Sequence, residues 1–376
     1  MNRLMLLALA AALLTGLELK ADDGGTMRVY YGTKNQSGSQ GIYTGTIDLK
    51  TGTLSEPELA AEAENPGFLA ISQSERFLYA VGSGKSGQRI VAYSINRDSG
   101  KLTELNSQDA GGVNPCHVSI GPDDRYVVYA CYTGGCCGMM PLATDGTLKP
   151  CSSFFQHTGS SGVTPERQEG PHPHSAMTAP NGKLVMVPDL GQDKVRLYRV
   201  GTAGQSMTAN DPAFATMPPG GGPRHVTFHP TGRWMYSNNE ITSAVTVLDL
   251  DQATGVTKAK QTISTLPEGF DGDNSTAEVL VHPSGNFLYC SNRGHDSIAS
   301  FAIDQTTGEL TATGHTSSGG NVPRNFGITP DGQYIVAANQ QSNDVAVLKV
   351  DPETGKLTPT GSSIKVPHCI CVRFVK

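Results

Sequence analysis

The stretch GPRHVTFHPTGRWMYSNNE, residues 222–240, places charged side chains at both ends of a predicted β-hairpin. Apolar and polar residues alternate in its first half, and RWMYS in its second half is rich in strand formers. The sequence His229-Pro-Thr-Gly between them is typical of a tight turn. Because a hairpin begins and ends at the same edge, Arg224 and Glu240 should lie side by side. A guanidinium beside a carboxylate there is either an ion pair or half of an active site.

The same hairpin recurs along the chain about every fifty residues and is followed each time by two further short strands. The first strands of the seven units are NPGFLAIS from residue 65, NPCHVSIG from 114, GPHPHSAMTAP from 170, GPRHVTFHP from 222, STAEVLVHP from 275, VPRNFGITP from 322 and VPHCICVRF from 366. Four short antiparallel strands with this period are typical of a β-propeller blade. Tandem β-sandwiches would need a period nearer to about 100 residues.

The last unit ends after its first strand, so its remaining strands must come from elsewhere. The N-terminal segments RVYYGT, GIYTGTID and TLSEP can supply them. One blade built from both termini removes the open sheet edges of the first and last units. We therefore predict an all-β fold, a single seven-bladed β-propeller over residues 27–376, with one blade closed by strands from both termini.

The first strand of each blade lines the central channel of a propeller, so first-strand starts and second-strand ends share one face. Charged and imidazole side chains concentrate at these positions: His117, Tyr132, His172, His174, Asp189, Arg224, His225, Glu240, Glu278, Arg293, Arg324 and Gln340. Three arginines at one mouth would repel one another unless a carboxylate or an anionic ligand lies among them. His229 and His282, in contrast, fall in His-Pro-Xaa-Gly turns on the opposite face, where we expect them to cap the turns.

Composition excludes some partners and suggests a compartment. The chain has 376 residues and a formal net charge of −6 without a basic cluster, which argues against nucleic acid as a partner. Residues 1–21 combine an early arginine with a short apolar run, as a secretory signal peptide does. We expect export to the periplasm or the medium, no stable membrane insertion after cleavage, and a monomer. A signal anchor is the alternative, and the chain is cytoplasmic if the signal-peptide prediction is wrong.

Metal and disulfide signals are weaker. The cluster Cys131, Cys136, Cys137 and Cys151 is the best place for a disulfide in an exported chain, whereas its spacings are poor frames for zinc. His172, His174 and Asp189 would give zinc only an incomplete catalytic set. Asp271-Gly-Asp-Asn lacks the later glutamate of a calcium loop, so a surface turn is favoured. We predict neither a metal nor a cofactor.

Several of these motifs in combination resemble the lactonase family, which contains the seven-bladed propeller type of 6-phosphogluconolactonase and the fungal carboxy-cis,cis-muconate cyclases. The motifs are RQEGPHPHS from residue 167, PDLG from 188, GPRH from 222, NE at 239 and SNRG from 291. The resemblance covers the chain from Tyr30 to the C-terminus. It implies a catalytic set of one histidine, two arginines and a glutamate. These fall on His174 (or, as a second choice, His172), Arg224, Arg293 and Glu240, and the family is not known for needing a metal.

The chemistry of lactone hydrolysis suits these residue types. A histidine or a glutamate of raised pKa can deprotonate water, and arginines can hold the developing oxyanion or an anionic tail. We predict a metal-independent sugar lactonase with His174 or Glu240 as the base and Arg224 and Arg293 as anion binders. His172, Asp189, His225 and Arg324 are predicted to bind a small anionic or sugar lactone substrate.

Two alternatives remain open, a lactonising cycloisomerase that acts on a muconate-like dicarboxylate and a non-catalytic binding platform. The sequence lacks a GxSxG nucleophile elbow, which disfavours a covalent acyl-enzyme. Phosphorylated sugar lactones are cytoplasmic metabolites, so either the substrate is unphosphorylated or the predicted export is wrong.

Overall fold

A computed structural model describes residues 25–375 and contains 29 β-strands and two single 3-10 turns, Pro122–Asp124 and Thr202–Gly204, in that range. The strands are β1 Thr26–Thr33, β2 Gly41–Asp48, β3 Thr53–Leu54, β4 Glu58–Glu62, β5 Leu69–Ile71, β6 Phe77–Gly84, β7 Gly87–Ile95, β8 Leu102–Asp109, β9 Pro115–Ile120, β10 Tyr126–Cys131, β11 Cys136–Pro141, β12 Ser153–Gln156, β13 Met177–Thr178, β14 Leu184–Asp189, β15 Lys194–Val200, β16 Met207–Thr216, β17 Pro223–Phe228, β18 Trp234–Asn239, β19 Ala244–Leu250, β20 Thr257–Ser264, β21 Ser275–Val281, β22 Phe287–Arg293, β23 Ser297–Ile303, β24 Leu310–Ser317, β25 Pro323–Ile328, β26 Tyr334–Asn339, β27 Asp344–Val350, β28 Leu357–Lys365 and β29 Cys369–Val375.

The strands form seven antiparallel sheets, the blades of the predicted propeller. Six blades take four consecutive strands each, from β5–β8 to β25–β28. The seventh has the order β29-β1-β2-β3, with β4 also paired to β2, so it joins the two ends of the chain. Arg28 on β1 lies opposite Val375 on β29. The predicted all-β ring, closed by strands from both termini, is confirmed.

Contacts between first strands run around the ring and place them on the central channel. The contacting pairs are β29–β5, β5–β9, β9–β13, β17–β21, β21–β25 and β25–β29, while β14 contacts β17 at the remaining junction. The channel mouth therefore collects side chains from the start of each first strand and the end of each second strand. The long loop between β12 and β13 reaches the same mouth and carries Arg167, His172 and His174.

Apolar packing between neighbouring blades forms the core, and a repeated hydrogen bond connects the blades further. A buried tyrosine on one blade donates its hydroxyl to a glycine carbonyl in the outer turn of the next. The distances from Oη to O are 2.9 Å for Tyr30–Gly100, 2.9 Å for Tyr79–Gly146, 3.0 Å for Tyr236–Gly308 and 2.9 Å for Tyr289–Gly355. A Cβ at Gly308 would lie 2.4 Å from the ring of Trp234, so only glycine lets that turn approach.

The turns on the opposite face confirm the expected capping histidines. Nδ1 of His229 accepts from the backbone N–H of Thr231, and Nδ1 of His282 accepts from that of Ser284, both at 3.2 Å. The other ring nitrogen of each histidine reaches the carbonyl of a glycine in the next blade, Gly285 and Gly332 respectively. These two residues therefore join turns across neighbouring blades.

Three further predictions concern a disulfide, the signal peptide and membrane insertion. All eight cysteines lie within residues 25–375 and are free thiols, so the expected disulfide is absent from the cluster around Cys131. The predicted signal peptide, residues 1–21, lies outside the described residues. In the part of the chain that the structure describes, no helix has the length and apolar character needed to cross a membrane.

Adjacent tyrosines on β1 provide a test of the bond between blades. Tyr30→Phe should lower the free energy of unfolding by about 1–2 kcal/mol, because the buried carbonyl of Gly100 loses its donor. Tyr31 is equally buried, but its hydroxyl has no hydrogen-bond partner among the described residues. Tyr31→Phe should therefore be neutral or slightly stabilising. Denaturant unfolding of both variants makes the comparison, and equal destabilisation would contradict the proposed role of the bond.

Candidate active site

The hairpin of β17 and β18 brings Arg224 and Glu240 together at the channel mouth. Arg224 is the second residue of β17, and Glu240 follows the last residue of β18. Nη1 of Arg224 lies 2.6 Å from Oε2 of Glu240, and both residues are buried. Nε of Arg224 donates to the carbonyl oxygen of Ala277 at 2.8 Å, which fixes the plane of the guanidinium. The pairing expected from the hairpin geometry is thus present.

Glu240 is shared by three arginines from three different parts of the chain. Its Oε2 also forms an ion pair with Nη2 of Arg293, the last residue of β22, at 3.1 Å. Its Oε1 accepts from Arg167, on the loop between β12 and β13, at 2.5 Å. Nη2 of Arg293 donates in addition to the carbonyl oxygen of Thr276 at 2.7 Å. We call Arg167, Arg224, Arg293 and Glu240 the arginine cluster.

The charges of the arginine cluster determine the protonation of its carboxylate. Burial alone would raise the pKa of Glu240, but the attraction of the guanidiniums of Arg293, Arg224 and Arg167 outweighs it and holds the pKa well below its usual range. Burial is also the main reason that the pKa of Arg293 falls to about 10. Near neutral pH the carboxylate is therefore ionised and the guanidinium is charged.

The arginine cluster forms one wall of a cavity of about 370 Å³ at the channel mouth. This volume suits a ligand of sugar size. The charged and imidazole side chains that line the cavity are Lys34, Arg167, His174, Arg224, His225, Glu240, Arg293 and Arg324. Among the described residues, five cations therefore face one carboxylate, and the cavity attracts anions.

Two of those cations, Lys34 and Arg324, have no acceptor within hydrogen-bond distance in the described part of the chain. Burial, followed by repulsion from Arg224 and Arg293, lowers the pKa of Arg324 to about 9. Burial and the nearby Arg324 lower the pKa of Lys34 as well. An anionic group bound between them would relieve this repulsion.

Two neutral histidines lie beside the arginine cluster. Nη1 of Arg224 donates to Nε2 of His174. Nδ1 of His225 lies 2.8 Å from Oε1 of Glu278, a buried residue on β21. Burial lowers the pKa of both imidazoles, and for His174 the guanidinium of Arg224 lowers it further. Both rings are therefore neutral near pH 7.

Of the predicted site residues, six line the cavity and two support it from behind. His174, Arg224, His225, Glu240, Arg293 and Arg324 line it. Asp189 is fully buried: Oδ2 contacts Nδ1 of His157 at 2.6 Å, and Oδ1 accepts from the backbone N–H groups of His172 and Gly191.

His172 stacks on Tyr132 with 4.5 Å between ring centroids, and its Nε2 lies 2.9 Å from a carboxylate oxygen of Glu169. Asp189 and His172 thus hold the loop between β12 and β13 that carries Arg167. Within residues 25–375, no group of three or more His, Cys, Asp or Glu side chains has a metal-binding arrangement.

Arg167 and Lys34 are cavity residues that the sequence reasoning missed. Arg167 opens the RQEGPHPHS motif, so the motif itself was a usable signal. Its reach to Glu240, however, depends on the path of a long loop. Lys34 follows β1 in the blade that closes the ring, and no sequence motif marks it.

Comparison with known proteins agrees with this architecture. The family model described as lactonase, 7-bladed beta-propeller, matches residues 28–374. A 6-phosphogluconolactonase of Bacillus subtilis is 36% identical over 346 residues, which cover 92% of this chain and 97% of that protein.

Solved structures agree as well. The periplasmic gluconolactonase PpgL of Pseudomonas aeruginosa superposes with a TM-score of 0.88 and 31% identity, covering 93% of this chain and 99% of that one. A putative 6-phosphogluconolactonase from Bacteroides fragilis gives a TM-score of 0.86 at 31% identity, with 94% and 98% covered. Together with the family match over nearly the whole described chain, these likenesses establish that the chain belongs to the lactonase family of seven-bladed β-propellers.

Proposed function

We propose that this protein hydrolyses a sugar lactone to the corresponding aldonate, with the arginine cluster holding the oxyanion that forms during attack. The observation that carries the proposal is the cavity itself, in which five cations surround one carboxylate at the channel mouth of a lactonase-family propeller. Relatives named 6-phosphogluconolactonase and gluconolactonase support the same reaction class.

The arginine cluster suits charge stabilisation better than proton transfer. When water attacks the lactone carbonyl, negative charge moves to the carbonyl oxygen, and fixed N–H donors in a buried site stabilise that charge. Backbone carbonyls and Glu240 already orient Arg224 and Arg293. Because Glu240 is ionised and forms ion pairs with three guanidiniums, we assign it to positioning them. A neutral histidine is then the better base.

Lys34 and Arg324 indicate what kind of lactone the cavity binds. These cations lack partners of their own, so we infer that they receive an anionic group on the lactone, a phosphate or a carboxylate. A sugar acid lactone carrying a carboxylate would be compatible with an exported enzyme, whereas a phosphorylated lactone would point to the cytoplasm.

We propose export to the periplasm or the medium, on two grounds. The N-terminal sequence has the composition of a signal peptide, and the structural neighbour from Pseudomonas aeruginosa is named periplasmic. A cytoplasmic location is the alternative if residues 1–21 are not a signal peptide.

A panel assay on the purified mature protein tests the function. Gluconolactone, 6-phosphogluconolactone, a glucarolactone and a muconate-type dicarboxylate are each followed with and without chelator. Lactone hydrolysis that chelator does not affect would support the proposal. Conversion of the dicarboxylate alone would favour the cycloisomerase alternative, and binding without turnover would favour a non-catalytic platform.

Removing one guanidinium of the arginine cluster should slow turnover strongly. We expect Arg293→Ala to lower kcat/KM by about 10²–10³-fold, because one donor to the oxyanion is lost. Arg233→Ala is the matched control, since Arg233 is an exposed arginine of the turn on the opposite face. Steady-state kinetics and thermal unfolding are measured for both. Wild-type turnover by a folded Arg293→Ala variant would contradict the assignment.

Arg324→Gln tests the proposed anion subsite. The variant should raise KM for an anionic lactone by about 10–100-fold, because a hydrogen bond to a charged group is lost, and leave KM for gluconolactone nearly unchanged. Wild type and variant are compared on the phosphate-bearing, carboxylate-bearing and neutral lactones. The same change in KM for all three would argue against an anion subsite at Arg324.

A further inference from the structure

Three buried histidines from neighbouring first-strand positions lie next to one another, and two of them, His174 and His225, line the cavity. His225 lies next to both of the others, with ring centroids 5.3 Å from His117 and 5.5 Å from His174. All three are almost fully buried. Burial is the first reason that the pKa of each ring falls below its usual value. Since all three rings are neutral near pH 7, the position of each proton decides which ring can accept another.

His174 has no free lone pair for a proton. An arginine can only donate, so the contact from Nη1 of Arg224 makes Nε2 of His174 the acceptor. The proton of the neutral ring is then on Nδ1, which is buried and has no hydrogen-bond partner among the described residues. In this arrangement Nδ1 of His174 is a donor, and the ring has no lone pair left with which to act as a base.

The acceptor nitrogen of His117 is also already used in a hydrogen bond. Its Nδ1 accepts from the backbone N–H of Ala176 at 3.3 Å, so its proton is on Nε2.

His225 differs from His174 and His117 because its unpartnered ring nitrogen is an acceptor. A carboxylate can only accept, so the 2.8 Å contact with Oε1 of Glu278 places the proton on Nδ1 of His225. Its Nε2 therefore carries a lone pair. This nitrogen is buried, has no partner in the described part of the chain, and belongs to a residue that lines the cavity. Leaving such an acceptor unpaired costs about 1–3 kcal/mol, a cost that a bound water or substrate group removes.

Glu278 is held firmly in the orientation that this arrangement needs. Oε1 also accepts from the backbone N–H of Val279 at 3.1 Å, and Oε2 accepts from Nδ2 of Asn325. Oδ1 of Asn325 in turn accepts from the backbone N–H of Val372 at 2.8 Å. The network thus runs through the first strands of four consecutive blades. Burying a carboxylate lowers the stability of a fold because the charge loses its hydration. A buried carboxylate that contacts an imidazole, however, stabilises the imidazolium that forms during catalysis.

We propose that His225 is the general base of the lactonase and that Glu278 is its positioning residue, an inference that rests on the proposed function. A water bound at Nε2 of His225 gives up a proton to that nitrogen as its oxygen forms a bond to the lactone carbonyl carbon. The carbonyl electron pair moves to the oxyanion, next to the arginine cluster. When the oxyanion collapses, the ring C–O bond breaks and the imidazolium returns the proton to the leaving alkoxide oxygen. Water is consumed and no oxidant or metal is required.

This assignment predicts the pH dependence of the enzyme. The charged and titratable groups around His225 are Glu278, His117, His174, Arg224 and Arg373. Although Glu278 raises the pKa of His225, burial has the larger effect, and the net shift is downward. A base acts only when it is unprotonated, so kcat/KM should stay level from pH 7 to below about 6.5 and fall only at lower pH.

Three variants test the proposal on a lactone that the wild type hydrolyses. His225→Asn keeps an N–H donor for Glu278 but removes the base, so kcat should fall by about 10²–10⁴-fold and the acidic limb of the pH profile should disappear. His174→Gln should slow turnover but keep that limb. His282→Asn, a histidine of the opposite face, is the matched control and should keep wild-type kinetics. Thermal unfolding and calorimetric binding of the aldonate product show whether each variant keeps its fold and cavity.

Glu278→Gln supplies an independent readout. Loss of the carboxylate lowers the pKa of His225 further, so the acidic limb should move to lower pH while kcat falls. A purely structural carboxylate would reduce thermal stability without moving the limb, so this variant decides the question if His225→Asn does not fold.

The proposal is overturned if folded His225→Asn keeps the wild-type kcat and acidic limb, or if His174→Gln rather than His225→Asn loses the limb. A wild-type protein that hydrolyses no lactone would instead refute the proposed function itself.

Discussion

The site depends on a single carboxylate that balances three guanidiniums inside a protein. Burying an ion pair costs several kcal/mol per charge, and only good geometry with additional hydrogen bonds offsets that cost. Here the backbone carbonyls of Ala277 and Thr276 supply those bonds to Arg224 and Arg293. Because both carboxylate oxygens of Glu240 are paired with guanidiniums, the arginines are held as donors in fixed positions before a substrate binds. Pre-organised donors of this kind stabilise developing charge without having to reorganise during the reaction.

The closed ring explains how such a cluster can be assembled from distant residues. Each blade contributes the start of a first strand and the end of a second strand to the same mouth, and the β29–β1 pairing locks the circle. At four of the seven junctions a tyrosine hydroxyl also bonds to a glycine carbonyl of the next blade, which restrains those blades relative to each other. The ring therefore holds the side chains at the channel mouth in fixed positions. Glu240, Glu278 and Asn325 each contact a residue of a neighbouring blade there.

Regular features of the sequence predicted more than irregular ones did. The fifty-residue period gave the fold, and hairpin geometry placed Arg224 next to Glu240, because both follow from local strand rules. Arg167 reaches Glu240 from a long loop, and Lys34 enters from the blade that closes the ring, so neither position follows from a local pattern. Asp189 carried the right chemistry for a ligand-binding residue, but its oxygens are used by His157 and by backbone N–H groups. In His174 and His225, the neighbour that contacts each ring nitrogen decides which nitrogen carries the proton. Residue types alone do not specify those neighbours.

The most direct test of the central claim replaces the balancing carboxylate by its neutral isostere. Glu240→Gln keeps the shape of the side chain but leaves three guanidiniums to repel one another, so the donors lose their fixed positions while the cavity becomes more positive. We predict that kcat for lactone hydrolysis falls by about 10²-fold or more, whereas the affinity for the anionic aldonate product is kept or increased. A folded Glu240→Gln variant with wild-type kcat would contradict it.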